Sequence, residues 1–167
     1  MDYGLKDKVV LITGSTGGIG QALTRAFARE GSKLAISSTK QEKLDKLIPT
    51  LGLPSGQVKG YVVDVTKEAD IKAFVEQASK DFGRVDVMVI DAGVEGENKQ
   101  IVDSSVEDYE KVYAVNLYAP VLCIKYAAQR DAQAQARSHR HHRRQTAASP
   151  PPPVWERTAR PSTPSQA

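Results

Sequence analysis

The eight residues Thr13-Gly14-Ser15-Thr16-Gly17-Gly18-Ile19-Gly20 constrain this chain more than any other feature. They follow an apolar run, Val9-Val10-Leu11-Ile12, and precede a helix-like stretch from Gln21 to Glu30. A buried strand, a glycine turn and a helix in that order build a cradle for phosphate. Gly14, Gly18 and Gly20 let the backbone come close to a diphosphate, and Ser15, Thr16 and Ile19 between them are candidate contacts. The first N–H groups of a helix have no partner within it and point at the anion's charge. A glycine-rich turn alone is a weak signal, because any tight turn uses glycine. Its setting between strand and helix gives it weight.

The rest of the body repeats the alternation. Lys8 to Thr13, Lys33 to Ser37, Gln57 to Val63 and Arg84 to Ile90 are predicted strands. Helices are predicted over 18–30, with Ala22, Leu23, Ala26 and Phe27 on one face, and over 41–51, cut by Pro49. A third spans 67–82, where Ile71, Phe74, Val75 and Ala78 recur at spacings of three and four and Thr66 is a candidate cap. A long helical pattern runs from Val106 to about Gln129. Strands joined by helices through short loops imply right-handed crossovers and a parallel sheet buried on both faces. The fold class is therefore α/β, a Rossmann-like doubly wound sheet of expected order 3-2-1-4. Its ligand crevice belongs at the C-terminal ends of strands one and four, where the order reverses.

The glycine spacing G-x-x-x-G-x-G resembles the cofactor loop of the short-chain dehydrogenases/reductases, and four further motifs in the same order extend the likeness over about residues 5–129. The resemblance implies a nicotinamide dinucleotide as cofactor, a small carbonyl or alcohol as substrate, and hydride transfer between them. At the position of Ser38, NAD-preferring members carry an acid that binds the adenosine ribose. Here Ser38 leaves room for a 2′-phosphate and Lys40 is available to pair with it, which favours NADP. Asp64, in Val62-Val63-Asp64-Val65, resembles the family's aspartate that contacts the adenine amino group, with Val65 packed on the ring.

Asp91-Ala92-Gly93 stands where the family has Asn-Ala-Gly. Ala92 and Gly93 match, and their small size lets backbone approach the nicotinamide ribose. Asp91 departs from the pattern: ionised, it only accepts hydrogen bonds. At a buried strand end it is expected to bring an unpaired charge costing roughly 1–3 kcal/mol. Asn116, in Tyr113-Ala-Val-Asn-Leu-Tyr-Ala-Pro120, has the setting of the family's catalytic asparagine, whose backbone carbonyl holds a water of the proton relay. Pro120, four residues on, has no N–H to give that carbonyl, an independent reason to expect it free.

Beyond this helix the likeness stops. The family's catalytic serine and Tyr-x-x-x-Lys pair occur nowhere in the 167 residues. Tyr126 and Arg130 have the right spacing but lie on the helix of Asn116, and arginine is a poor stand-in for the compact, tunable charge of lysine. The chain as given is expected to be catalytically incomplete, and a sheet ending at strand four is expected to leave an apolar edge in water. Family members are usually homo-oligomers, but the helices that build those contacts are largely missing from this chain.

Composition changes near residue 130. Residues 1–129 carry a net charge of −2 and residues 130–167 a net charge of +5, with every lysine in the first part and seven of ten arginines in the second. The basic balance belongs to the tail, so nucleic-acid binding by the body is not expected. Residues 130–167 read as a disordered Arg/Ala/Pro-rich segment, distinct from the partial dinucleotide-binding domain of residues 1–129. A native basic arm and a shifted reading frame both account for its composition, the latter better. His139, His141 and His142 lack a carboxylate or thiol to complete a metal site and stand among arginines, so no metal is expected. The single cysteine, Cys123, excludes an internal disulfide and fits a reducing cytoplasm. No stretch approaches the ~20 apolar residues of a membrane helix. Two readings remain beside the oxidoreductase: a non-catalytic dinucleotide-binding fragment, and an interaction protein acting through its tail.

Overall fold

The computed structural model describes residues 3–130, and the expectations for residues 131–167 lie outside the described residues. Four strands, β1 (Val9–Thr13), β2 (Lys33–Ser38), β3 (Val58–Val62) and β4 (Val87–Ile90), form one sheet in the order β3-β2-β1-β4. All three pairings are parallel, as crossovers through helices require. Helices α1 (Gly18–Arg29), α2 (Gln41–Leu47) and α3 (Glu68–Phe82) make those crossovers. α4 (Val106–Tyr113) follows β4 and leads through a π turn, Ala114–Tyr118, into helical residues 119–130.

The period of two along each strand divides the core. Val9, Leu11 and Ala35 face Val63, Phe74, Val75 and Ala78, the last three on α3. Val10, Ile12, Leu34 and Ile36 face the other way, onto Ala28 of α1 and Leu44 and Leu47 of α2. β1 is buried along its whole length, which is why its sequence is apolar without alternation. Each such fully buried Leu or Ile side chain is worth about 1.5–3 kcal/mol. The edge strands differ: β4 is half-buried throughout, and β3 exposes Lys59 and Val62. A third cluster, Ile71 with Ala119 and Cys123, seats the segment 119–130 on α3.

Several element boundaries differ from expectation for identifiable reasons. The 41–51 helix tightens into a 3₁₀ turn, Ile48–Leu51, at Pro49. β4 begins at Val87, just after Asp86, whose carboxylate, ion-paired with Arg84, accepts from the Val9 N–H at 2.9 Å and whose own N–H donates to Val9 O at 2.9 Å. On α1 the buried ridge is Gly20, Thr24 and Ala28, with Ala22 and Ala26 exposed. The polar Thr24 is tolerated there because its hydroxyl donates to Gly20 O at 2.7 Å. α3 starts one residue later than expected and takes Lys67, not Thr66, as its N-cap, with no side-chain cap bond. Among the described residues no helix is long and apolar enough to cross a membrane, and no cluster of side chains is arranged to hold a metal ion.

Candidate functional site

A cleft of about 970 Å³ opens at the C-terminal ends of the strands, between the β1–α1 turn and the segments after β2, β3 and β4. Gly14 turns the chain out of β1 at φ +67, and Gly17 N–H donates back to Gly14 O at 3.0 Å. α1 then begins with no side-chain cap and no acid in its first turn, so its leading N–H groups are left for an anion. The glycines divide the work. A Cβ on Gly20 would stand 2.1 Å from Gly14 O, and one on Gly14 2.8 Å from Ala92 Cα, so these two permit close packing. A Cβ on Gly18 would meet nothing within 4 Å, although Gly18 lines the cleft. The wall is thus open at Gly18, and a glycine turn leading into an uncapped helix start fits the diphosphate of a dinucleotide.

Hydroxyls lock the neighbouring strand ends together. Ser15 is buried, and both its N–H and its Oγ donate to Ser37 O, at 3.1 and 2.9 Å. Thr16 Oγ1 and Ser38 Oγ are 2.7 Å apart and share a hydrogen bond. Thr13 Oγ1 accepts from the N–H groups of Asp91 and Ala92, at 3.2 and 3.3 Å, which fastens the end of β1 to the segment after β4.

The expected site residues do not all reach the cleft. Gly14, Thr16, Gly18, Ile19, Ser38, Asp64, Val65, Asp91, Ala92, Gly93 and Asn116 line it. Ser15 and Gly20 lie behind it, serving the turn's own packing, and Lys40 lies outside it. The cation that lines it is Lys43, one helical turn along α2. Sequence reading missed Lys43, because only the path of α2 decides which lysine faces inward. It also missed Glu95, an exposed residue at the cleft wall.

The carboxylates are held differently from one another. Asp64 accepts from the Thr66 hydroxyl at 2.6 Å and the Thr66 N–H at 3.1 Å, with Lys67 Nζ at 3.4 Å. These donors, the hydroxyl first, hold its pKa below the ordinary carboxylate value, so it stays an acceptor. Asp91 corrects the expectation of a fully buried charge. It is half-buried, and its Oδ2 lies 2.9 Å from where a Cβ on Gly20 would be, beside the first turn of α1. A negative charge there meets the positive end of the helix dipole.

Asn116 sits within the π turn, and the expected single helix over 106–129 is interrupted there. Pro120 withholds the N–H that an α ladder would give to Asn116 O, and the wider turn accommodates the break. Its side chain does something the sequence did not announce: Nδ2 donates to Val94 O and Oδ1 accepts from Val94 N–H, both at 2.9 Å. Tyr126 and Arg130 do not line the cleft. Tyr126 OH donates to Glu68 Oε1 at 2.6 Å, and Arg130 pairs with Glu76 at 3.2 Å, so both tie their helix to α3.

A parallel sheet with a glycine cradle and a strand-end cleft defines a Rossmann-like nucleotide-binding protein. The chain belongs to the short-chain dehydrogenase family, whose sequence pattern matches residues 8–137. It is 41% identical over 80 residues to the uncharacterised oxidoreductase YvrD of Bacillus subtilis, covering 48% of this chain and 30% of that one. It is 31% identical over 122 residues to YxbG of the same organism, another uncharacterised oxidoreductase, covering 73% and 45%. Among solved structures it is similar to a glucose/ribitol dehydrogenase-type member from Brucella melitensis, with 26% identity and TM-score 0.73 over 78% of this chain and 54% of that one. A 3-ketoacyl-(acyl-carrier-protein) reductase from Brucella melitensis, solved with NADH, gives 27% identity and TM-score 0.72 over 80% and 54%. The chain thus spans 30% to 45% of these curated relatives and about half of the solved chains.

Proposed function

We propose that the cleft binds NADP(H) and belongs to an oxidoreductase acting on a carbonyl or alcohol. One observation carries this reading. The uncapped start of α1, the open face of Gly18, the Asp64 carboxylate, the Ala92–Gly93 backbone and Asn116 all border a single cleft. In that reading the α1 amides hold the diphosphate, Asp64 accepts from the adenine amino group, and Ala92 and Gly93 flank the nicotinamide ribose. Bound, the nicotinamide supplies hydride chemistry. The absence of an acid at Ser38 supports the phosphorylated cofactor. The Brucella reductase solved with NADH supports the dinucleotide class. A cytoplasmic location goes with the reading, and a single cysteine, Cys123, buried as a free thiol, is consistent with it.

The same residues support binding without turnover by these 167 residues. The chain carries no Tyr-x-x-x-Lys, and the hydroxyl of Tyr126 is engaged by Glu68. Titrating the protein with NADPH by nicotinamide fluorescence, alongside an assay of carbonyl-dependent NADPH oxidation, tests both parts. Saturable binding with no oxidation is the expected result. Failure of a folded sample to bind any nicotinamide dinucleotide would end the reading, and steady oxidation would end its second part.

A further inference from the structure

On the reading that the cleft takes a nicotinamide dinucleotide, we propose that Glu95 makes its nicotinamide end selective for the positively charged ring of the oxidised cofactor. Thr13 Oγ1 holds the N–H groups of Asp91 and Ala92, and Asn116 holds both backbone groups of Val94 at 2.9 Å. Glu95 follows directly on this fastened segment and lines the cleft. In the proposed arrangement Ala92 and Gly93 flank the nicotinamide ribose. Two residues of extended chain span at most about 7 Å, so Glu95 stands close enough to Gly93 for its charge to act on the ring.

The charges around the cleft are divided between its ends. Among the described residues that line it, Lys43 alone is basic, and it lies on α2, the helix after β2. The segment after β4 contributes Asp91 and Glu95 and no base. Lys99, the nearest base to Glu95 in sequence, is engaged by Glu97 at 2.7 Å and by Asp108 at 2.9 Å. Glu97 is thereby neutralised, whereas Glu95 has no ion-pair or hydrogen-bond partner among the described residues. Asp91 Oδ2 is turned to the first turn of α1, so its charge acts on the diphosphate, which both redox forms carry. Asp64 already has Thr66 and Lys67 as donors. Beside Glu95 the wall is apolar, with Val94, 44% exposed, and Val115 lining it. An apolar wall with a carboxylate at its edge suits a flat ring that is positive when oxidised and neutral when reduced.

Isothermal calorimetry at low salt compares NADP⁺, NADPH and 2′-phospho-ADP-ribose, which lacks the nicotinamide, on the wild type, Glu95→Gln, Glu97→Gln and Asp91→Asn. Far-ultraviolet circular dichroism confirms folding of each. Glu95→Gln is expected to weaken NADP⁺ about threefold relative to both NADPH and 2′-phospho-ADP-ribose, a modest change because the carboxylate is exposed to water. The shift is expected to disappear at high salt. Glu97→Gln is expected to keep the wild-type ratio, and Asp91→Asn to move all three ligands together. A ratio that stays unchanged in Glu95→Gln, or that moves as far in Glu97→Gln or Asp91→Asn, overturns the assignment and leaves the dinucleotide reading intact. A folded wild type that binds none of the three removes the dinucleotide site itself.

Discussion

Asn116 holds the backbone of Val94 by both of its groups, the amide oxygen accepting from the N–H and the amide nitrogen donating to the carbonyl, each at 2.9 Å. The helix after β4 is thereby fastened to the segment that leaves β4 and borders the cleft. Gly93 lies under this clamp, where a Cβ would be 3.5 Å from Asn116 Oδ1. Replacing Asn116 by alanine removes both bonds. We expect a loss of about 1–2 kcal/mol in urea unfolding and a weaker NADPH affinity as the 92–94 segment loosens. An unchanged midpoint with unchanged affinity would show that the clamp contributes to neither.

The glycines of the cradle separate packing from binding. Gly20→Ala drives a methyl group to 2.1 Å from Gly14 O, and overpacking of that kind costs about 1–3 kcal/mol or more. Gly18→Ala places its methyl group in open space on the cleft wall. That variant is expected to keep or slightly raise the melting temperature, since alanine suits a helix better than glycine. NADPH affinity is expected to fall at least about tenfold through exclusion of the diphosphate. Thermal melts and fluorescence titrations of the pair check both halves. Equal effects of the two substitutions would contradict the division.

Asp91 faces the first turn of α1, where the cofactor's negative charge is proposed to lie. Asp91→Asn removes a like charge and supplies a donor, so NADPH affinity is expected to rise severalfold at low salt. Stability should change by less than about 1 kcal/mol, because the carboxylate's attraction to the helix dipole is lost at the same time. Binding no tighter than wild type would mean that the carboxylate and the diphosphate do not meet.

Acid should loosen the start of α4. Asp108 closes a capping box with Ser105 and also pairs with Lys99 at 2.9 Å. The Ser105 N–H first, and then the Lys99 ammonium, hold its pKa down at about 2. An unfolded aspartate titrates near 3.9, roughly two units higher. A group depressed on folding stabilises the folded state above its unfolded value, and that contribution disappears as pH falls towards its folded value. Asp64, Glu68 and Asp81 are also held below their ordinary values and add in the same direction. The urea midpoint is therefore expected to fall between about pH 4 and 2, and to fall less in Asp108→Ala. A variant that tracks the wild type through this interval would remove Asp108 from the account.

The order of strands and helices, the two faces of β1 and the place of the cleft were legible along the chain, because each depends on local spacing. Apolar residues at period two or at three and four, a glycine turn and a proline act over a few residues. The core face of α3 was read residue for residue. The face of α1 was not, because Thr24 buries a hydroxyl satisfied by its own helix, which no polarity scale registers.

What the folded chain alone decided is which of those local features meet. Val94 and Asn116 are 22 residues apart, as are Thr16 and Ser38, and Thr13 reaches residues 78 and 79 positions away. Whether Lys40 or Lys43 borders the cleft, whether a Cβ on Gly20 would meet open space or a carbonyl, and whether Asp91 is sealed in or beside a helix end all follow from how strands and helices come together. Spacing along a chain sets each element's own faces. Distances between elements exist only once the sheet has closed its register and the helices have packed on it.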